Sequence, residues 1–262
     1  MGQKKFKILD VGFPKVGNTW IGRVLSNALN AQFIEYDVDG HILPDSTMDD
    51  VLLRISGAIP GREKTTVEKI EKTHLLPGAG KHAWKDRNPE LTTKIVYLTR
   101  DPRDMAVSYF YFTYHNRPYV ETGHVSKCGY LERKRFLLTV MLRYQIHKNL
   151  WAPHVNAFIS YEEMWNDPHR AVVTLLDTLN VEFDDDRLRE AIGYFSWKNL
   201  AKGRMPGDAI NTSFLRSGVT GSHKTEFDLL DHVLARLAVM LAWCFSVVRR
   251  VARNRDPIGP SL

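Results

Sequence analysis

The sequence predicts an α/β fold in which a central, mostly parallel sheet is flanked by helices. Short, largely apolar runs, such as Phe6–Val11 and Lys94–Thr99, are typical of strands that are covered on both faces. Helical patterns alternate with these runs, as in sheets built from strand–helix–strand units. A loop with two glycines, 12–20, follows the first run and leads into a helical pattern. That order favours a P-loop-like fold.

The elements are expected in the following order along the chain. The predicted strands are Phe6–Val11, Lys94–Thr99 and Asn156–Ser160, with a weaker one near Gln32–Tyr36. The predicted helices are Thr19–Leu29, Pro102–Thr113, Gly129–Leu150 and His169–Leu179. Segments 37–68 and 114–128 mix polar and turn residues and are predicted as loops or short helices. No repeat or low-complexity linker divides the chain, so a single domain over 1–262 is expected, with an apolar and basic helix at about 228–255.

The composition is that of a soluble globular protein that binds anions. Apolar residues make up 44% of the chain and charged residues 25%. The net charge of +6 favours anionic ligands or surfaces. The basic residues are scattered rather than interleaved with aromatic residues, so nucleic acid is not an expected partner. The two cysteines, Cys128 and Cys244, lack metal-ligand spacing and a disulfide framework, so we expect a reducing, cytoplasmic compartment and no metal site.

The loop 12–20 has the glycine spacing of a Walker A sequence but not its lysine. Asn18 follows the second glycine, Gly17, at the position where that lysine is required, and Lys15 lies inside the loop instead. The Walker A lysine binds the β- and γ-phosphates of a nucleotide. The loop therefore predicts a site for a phosphate-type anion, but not for turnover of ATP or GTP.

A second anion site is predicted where the strand Lys94–Thr99 joins the next helix. Asp101 suits the N-cap of that helix, and Asp104 has capping-box spacing. Asp104 and Ser108 share a helix face, and Arg100 lies at the strand end. Arg100 and Ser108 can hold a phosphate through charge-assisted hydrogen bonds. The alternative is that Arg100 pairs with Asp104 and that Ser108 lies on a solvated face.

With both stretches in view, the sequence resembles the sulfotransferases that use 3′-phosphoadenosine 5′-phosphosulfate (PAPS). Five motifs of that family occur here in the family's order. The matching segments are Pro14–Trp20, Lys72–Pro77, Tyr97–Phe110, Tyr161–Met164 and Arg216–Phe227. Each motif alone is a weak signal, but five in order make the match specific.

The resemblance implies both a donor site and a catalytic site. The implied donor-binding residues are Lys15, Val16, Gly17, Asn18, Thr19, Trp20, Arg100, Ser108, Tyr161, Trp197, Arg216, Ser217 and Gly218. Lys15 and Lys72 would contact the phosphosulfate end, where Lys15 would stabilise the leaving phosphate. His74 would accept the proton of the acceptor, because imidazole titrates near neutral pH. The alternatives are that Lys72 is a surface lysine and that His74 is structural.

The same resemblance implies how the adenylate is held. Arg100, Ser108 and Arg216 would bind the 3′-phosphate, and Gly218 would let the backbone approach it without a Cβ. Trp20 and Trp197 would sandwich the adenine, although core packing is an equal alternative for Trp197.

Several positions depart from the family pattern. Val16 and Asn18 replace two hydroxyl-bearing residues of the loop, although the Asn18 amide can still donate or accept a hydrogen bond. Ser217 replaces a basic residue. The dimerisation motif of many soluble members is missing after Lys224, so the oligomeric state is not carried over.

The predicted function is transfer of a sulfuryl group from PAPS to a hydroxyl or amine of a small-molecule, lipid or sugar acceptor. The reaction needs an in-line arrangement of donor and acceptor, stabilisation of the charge on the leaving phosphate and a base for the acceptor proton. As in phosphoryl transfer, positioning and electrostatics dominate. Two alternatives stay open. One is a P-loop nucleotide kinase or NTPase, and the other is a relative that binds the nucleotide without catalysis.

The tail combines an apolar run, Leu237–Val248, with a basic segment, Arg249–Arg255. The run has twelve residues, whereas a bilayer-spanning helix needs about 20. The preferred prediction is a buried C-terminal helix whose basic end complements the helix dipole. The alternative is an interfacial helix that makes peripheral contact with a membrane.

Overall fold

The computed structural model describes residues 5–35, 66–77, 92–114, 128–201, 203–208 and 218–255, with side chains as far as Val247. Five strands form one parallel sheet in the order β2–β3–β1–β4–β5. The strands are β1 (Phe6–Gly12), β2 (Gln32–Glu35), β3 (Val67–Thr73), β4 (Thr92–Thr99) and β5 (Ala157–Ser160). The predicted α/β fold with a parallel sheet is confirmed.

Nine α-helices lie in the described residues. They are α1 (Asn18–Ala28), α2 (Pro102–Tyr114), α3 (Tyr130–Trp151), α4 (Tyr161–Asn166), α5 (Pro168–Thr178), α6 (Asp185–Tyr194), α7 (Trp197–Leu200), α8 (His223–Glu226) and α9 (Leu229–Arg255). The four longer helices predicted before the tail appear with their ends shifted by at most one residue. The short helices α4, α7 and α8 and the helix α6 were not predicted.

Strand β3 was missed, because segment 37–68 was predicted as loops or short helices and 69–73 received no element. Its sequence, VEKIEKT, has four charged residues and no apolar run, yet the strand lies between β1 and β2 in the sheet. Lys7 Nζ on β1 lies 2.9 Å from a Glu71 carboxylate oxygen, and Lys69 Nζ lies 2.9 Å from the other. Burial raises the pKa of Glu71, but its hydrogen bonds to Lys69 and Lys7 hold it below its usual value. Paired charges therefore let this strand occupy the interior of the sheet.

Strand β1 is the centre of the core, and its side chains alternate between two apolar clusters. Ile8 packs into the main cluster with residues of α1 such as Val24 and Leu25. Leu9 belongs to a smaller cluster on the opposite face, which the buried Trp151 of α3 helps to cover. Both faces of the sheet are therefore covered, as its apolar sequence predicted.

The parallel topology brings the carboxyl ends of all five strands to one edge. The neighbours of β1 are β3 on one side and β4 on the other, so the chain changes side next to β1. In open parallel sheets, ligands bind outside the carboxyl ends at such a switch point. The segments after Gly12, Thr73, Thr99 and Ser160 all begin at this edge.

The C-terminal helix α9 lies along α3, and it differs from the buried helix that was preferred from the sequence. Ala238 and Ala242 are buried, but ten large apolar side chains between 229 and 247 are exposed. The small residues of its inner stripe bury only the side that faces α3. The apolar stretch also extends over 19 residues, Leu229–Val247, which by length and composition alone suffices to cross a membrane. The uninterrupted apolar run noted in the sequence, Leu237–Val248, has twelve residues.

Candidate functional site

The turn between β1 and α1 has an unusual backbone that suits an anion. Lys15 and Gly17 have φ angles of 71° and 110°, both in the left-handed region. A lysine rarely adopts such an angle, so the surrounding structure must hold it there. A Cβ on Gly12 would lie 2.5 Å from Asn18 Oδ1, which explains why the loop folds so closely over the end of β1. Loops of this kind direct successive N–H groups toward a bound anion.

The side chain of Asn18 supports this loop from below. Its Nδ2 donates to Asp10 Oδ1 at 2.7 Å, and both residues are buried. The amide is therefore directed into the protein, where its Oδ1 is buried without a hydrogen-bond partner among the described residues. The Asn18 amide thus still donates a hydrogen bond, as expected from the sequence, but to Asp10. Asp10 was not singled out from the sequence, although a lone carboxylate in an apolar strand was a signal.

His74 is bonded to the end of the same strand. Its Nδ1 donates to the Gly12 carbonyl oxygen at 2.5 Å, so its Nε2 keeps a lone pair. Burial lowers the pKa of His74 to about 3, and the positive charge of Lys72 contributes, whereas the bond to Gly12 opposes the shift. The imidazole is thus neutral at physiological pH, which is the form that can accept a proton.

Helix α3 fixes the backbone that carries His74. His147 Nε2 donates to the His74 carbonyl at 3.2 Å, and Trp151 Nε1 donates to the Leu75 carbonyl at 2.9 Å. The Tyr97 hydroxyl donates to His147 Nδ1 at 2.8 Å, which sets the tautomer. Burial lowers the pKa of His147 to about 4, so it stays neutral. His147 and Trp151 were missed, and their four-residue spacing on one helix face was the only local signal.

Two lysines and an arginine concentrate positive charge at the loop. Lys72 Nζ donates to Thr19 Oγ1 at 2.8 Å, which joins β3 to the start of α1. Lys15 Nζ lies 4.3 Å from the centre of the Phe112 ring. Burial lowers the pKa of Lys15 to about 7, and the charges of Arg100 and Lys72 contribute. A bound anion would relieve this repulsion, so the cluster favours a ligand of high negative charge.

Arg100 joins three segments of the site. Its guanidinium donates to the carbonyls of Lys15 at 3.0 Å and Val219 at 3.4 Å, and it lies 4.1 Å from the centre of the Tyr161 ring. Its Nε is buried and has no hydrogen-bond partner among the described residues. The alternative in which Arg100 pairs with Asp104 is wrong, because backbone carbonyls take its place.

Asp104 has a different role from the predicted capping box. Its carboxylate accepts the Gly221 N–H at 2.5 Å, the His223 N–H at 2.9 Å and His223 Nδ1 at 2.8 Å. It therefore ties the segment after Gly218 to α2. Ser108 lies one turn further along α2 and is partly exposed. This arrangement brings the predicted 3′-phosphate residues Arg100, Ser108 and Gly218 to neighbouring segments.

Four aromatic residues form a row beside the loop. Trp20 meets Tyr161 edge to face at 5.9 Å, Tyr161 stacks with Trp165, and Trp165 meets Trp197 edge to face at 6.5 Å. A Cβ on Gly218 would lie 2.2 Å from the Trp197 ring. Trp197 is half-buried and packs on the Gly218 backbone, and its contact with adenine stays a prediction. Trp165 was missed, although it lies four residues after Tyr161 on α4.

The comparisons with known proteins agree with this geometry. The family model described as "Sulfotransferase domain" matches residues 6–234. The chain belongs to the sulfotransferase family. Sulfotransferase 1B1 of Canis lupus familiaris is 28% identical over 248 residues, covering 86% of this chain and 79% of that protein. Mouse sulfotransferase 1E1 is 26% identical over 240 residues, covering 82% and 76%. The predictions of the family and of a sulfotransferase enzyme are confirmed.

Two solved structures share the fold of this sulfotransferase. Mouse sulfotransferase SULT7A1 complexed with PAP has a TM-score of 0.56 at 19% identity, covering 97% of this chain and 89% of that chain. Retinol dehydratase in a complex with retinol and PAP has a TM-score of 0.58 at 18% identity, covering 92% and 82%. Both likenesses concern the fold.

The sulfotransferase motifs converge at one edge of the sheet, with two exceptions. The residues brought together are Lys15, Val16, Gly17, Asn18, Thr19, Trp20, Lys72, His74, Arg100, Ser108, Tyr161, Trp197 and Gly218. Arg216 and Ser217 lie outside the described residues. The individual roles of all these residues in the sulfotransferase stay predictions.

We predict that Asp104→Ala loosens the segment after Gly218. The change leaves three donors of Gly221 and His223 without their acceptor, at a cost of about 1–3 kcal/mol for each buried group left unpaired. Hydrogen exchange should show faster exchange at the amides of Gly221 and His223. Asp185→Ala on α6 removes an exposed carboxylate and is the control. Unchanged protection of both amides in Asp104→Ala would contradict this anchoring role.

Proposed function

We propose that this protein transfers the sulfuryl group of PAPS to a hydroxyl or amine of an acceptor. The observation that carries the proposal is the hydrogen bond between His74 Nδ1 and the Gly12 carbonyl. It joins a neutral imidazole to the first turn of an anion-binding loop. A base and an anion site held this close suit a reaction in which an anionic group moves to a deprotonating nucleophile.

The residues present fit an adenylate with phosphate groups at two positions. The amides of 15–19 and the Thr19 hydroxyl suit the 5′-phosphosulfate, while Arg100, Ser108 and the Gly218 backbone suit the 3′-phosphate. Two buried donors, Arg100 Nε and Trp20 Nε1, have no partner among the described residues and so remain for a ligand. When bound, PAPS supplies an activated sulfuryl group.

The chain's own side chains supply the remaining requirements. His74 Nε2 accepts the proton of the acceptor hydroxyl or amine, because Nδ1 is held by Gly12. Lys15 and Lys72 stabilise negative charge on the leaving phosphate. His147 and Trp151 act only by positioning, since they hold the backbone of the His74 segment.

The acceptor class is proposed as a small molecule, a lipid or a sugar. Solved structures of retinol dehydratase contain retinol or androsterone together with PAP, which supports a small apolar acceptor. A group of aromatic residues at 109–119, on α2 and just after it, can line an acceptor pocket or belong to the core. Phe110 and Tyr114 pack on Phe136 of α3. Phe110 belongs to the main apolar cluster, and Tyr114 packs against that cluster. Tyr119, in the same aromatic group, lies outside the described residues.

The kinase alternative is disfavoured by one contact. A P-loop kinase or NTPase needs a lysine at position 18 that reaches the nucleotide phosphates. Here Asn18 occupies that position, and its side chain bonds Asp10 beneath the loop. The third interpretation, a non-catalytic relative, keeps the donor site and is separated by the variants below.

Isothermal titration tests the donor class. We expect adenosine 3′,5′-bisphosphate (PAP) to bind at least about tenfold more tightly than AMP, because charged hydrogen bonds to the 3′-phosphate contribute about 1.5–3 kcal/mol each. Titration of ATP with magnesium is the control for the kinase alternative. Equal or tighter binding of AMP would overturn the proposed donor.

His74→Ala tests the base. Transfer of radiolabelled sulfate to an acceptor from a screened panel should fall by about 10²–10⁴-fold, the usual contribution of a general base. PAP affinity should fall much less than transfer, because other residues contact the phosphates even though the bond to Gly12 is lost. His169→Ala removes a histidine that pairs with Asp185 on the surface and should leave transfer unchanged. Full transfer by His74→Ala would assign the base elsewhere while leaving the donor proposal intact.

The pKa of Lys15 predicts how PAP affinity depends on pH. With a pKa of about 7, Lys15 loses its positive charge as the pH rises above that value. PAP affinity should therefore fall by up to about tenfold per pH unit, with uptake of up to about one proton on binding. Titrations in buffers of different ionisation enthalpy measure both quantities. In Lys15→Arg the side chain stays charged, so PAP affinity should not change as the pH rises above 7. An affinity of the unaltered protein that is equally independent of pH would contradict the prediction.

A further inference from the structure

Helix α9 is apolar around most of its circumference. Its inner stripe contains Ala238, Ala242 and Ser246, which are buried or half-buried on the side of α3. Asp231 and Arg236 are the charged residues between 229 and 247. A helix that is apolar on all sides is normally buried on all sides, in a protein core or in lipid.

The face opposite to that stripe is apolar except for the exposed Arg236, and it is uncovered in the described residues. Residues 233, 237, 240, 244 and 247 follow one another at three- or four-residue spacing and form the outer face of α9. Met240 is 64% exposed, and Trp243 beside this face is 65% exposed. The exposed large apolar residues of α9 are Leu229, Leu230, Val233, Leu237, Val239, Met240, Leu241, Trp243, Phe245 and Val247. A contiguous apolar patch of this kind on a soluble domain marks an interaction surface.

Polar contacts at both ends fasten α9 along α3. Near its start, Asp231 is fully buried and pairs with Arg133 at 3.1 Å and Lys134 at 2.8 Å. Fifteen residues later, Ser246 accepts a hydrogen bond from Asn149 at 2.9 Å. Fifteen residues of helix span about 22 Å. Because α9 is fixed to the domain over this length, it lies along the domain surface and does not leave it to cross a bilayer.

The basic segment identifies what covers the outer face. Arginines occupy positions 249, 250, 253 and 255, and Asp256 is the acidic residue that follows. The backbone of α9 continues through Arg255, so these charges follow the apolar face on the same helix. An apolar face with aromatic residues, followed by basic residues, is typical of helices that lie in the headgroup region of anionic membranes.

We propose that the outer face of α9 lies on the surface of a membrane that contains anionic phospholipid. The apolar side chains enter the interface between headgroups and acyl chains, and the arginines meet the lipid phosphates. An ordinary interfacial helix has a polar face in water, whereas here α3 covers that side. A second copy of the chain would also cover the apolar face, but with a net charge of +6 it offers no net negative charge to the four arginines.

Flotation with vesicles tests the proposal on the full-length protein. The protein should float with vesicles of phosphatidylserine and phosphatidylcholine, and much less with vesicles of phosphatidylcholine alone. Met240→Glu should weaken binding to the vesicles by about tenfold or more, because a charge replaces an exposed apolar side chain that the membrane would bury. Met205→Glu is the matched control, since Met205 is 68% exposed outside α9. Replacing the four arginines by glutamine should abolish the preference for anionic vesicles.

Two results would overturn the proposal. One is flotation that is absent or independent of anionic lipid. The other is flotation of Met240→Glu equal to that of Met205→Glu. Sedimentation velocity without lipid tests whether a second copy of the chain covers this face instead. A dimer that Met240→Glu dissociates and Met205→Glu does not would make the face a contact between two copies. PAP titration shows that each variant is folded.

Discussion

The hydrogen bond from His74 to the Gly12 carbonyl is the contact on which the site depends. Gly12 ends the central strand and begins the turn with left-handed angles at Lys15 and Gly17. Because the same bond occupies Nδ1, the Nε2 atom of His74 keeps the lone pair that can accept a proton. One contact therefore couples the conformation of the anion-binding turn to the protonation form of the proposed base.

Helix α3 is the support behind this contact. Its inner face holds the carbonyls of His74 and Leu75 through His147 and Trp151. Its other side carries α9 through Arg133 and the residues near it. Helix α3 thus lies between the proposed chemistry and the proposed membrane surface.

The sequence predicted the parts of the fold and site that depend on local patterns. Apolar runs and alternating helices located four of the five strands, and glycine spacing located the loop after β1. The charged strand β3 was missed, because its place inside the sheet depends on the ion pair between Lys7 and Glu71, 64 residues apart. Nothing local to Asp104 indicates that its partners lie at Gly221 and His223.

The tail illustrates the same limit. Composition identified an apolar and basic helix, but burial depends on which neighbours the fold supplies. Helix α3 is the main neighbour of α9 in the described residues, and α9 buries its small residues Ala238 and Ala242. The larger residues face outward, which no property of the run itself could have shown.

A crystal structure of the protein with PAP tests the central claim most directly. The account predicts the 5′-phosphate against the amides of residues 15–19, within reach of Lys15 and Lys72. It predicts the 3′-phosphate beside Arg100 and Ser108, and His74 still bonded to Gly12. A nucleotide bound elsewhere, with this turn empty, would contradict the account.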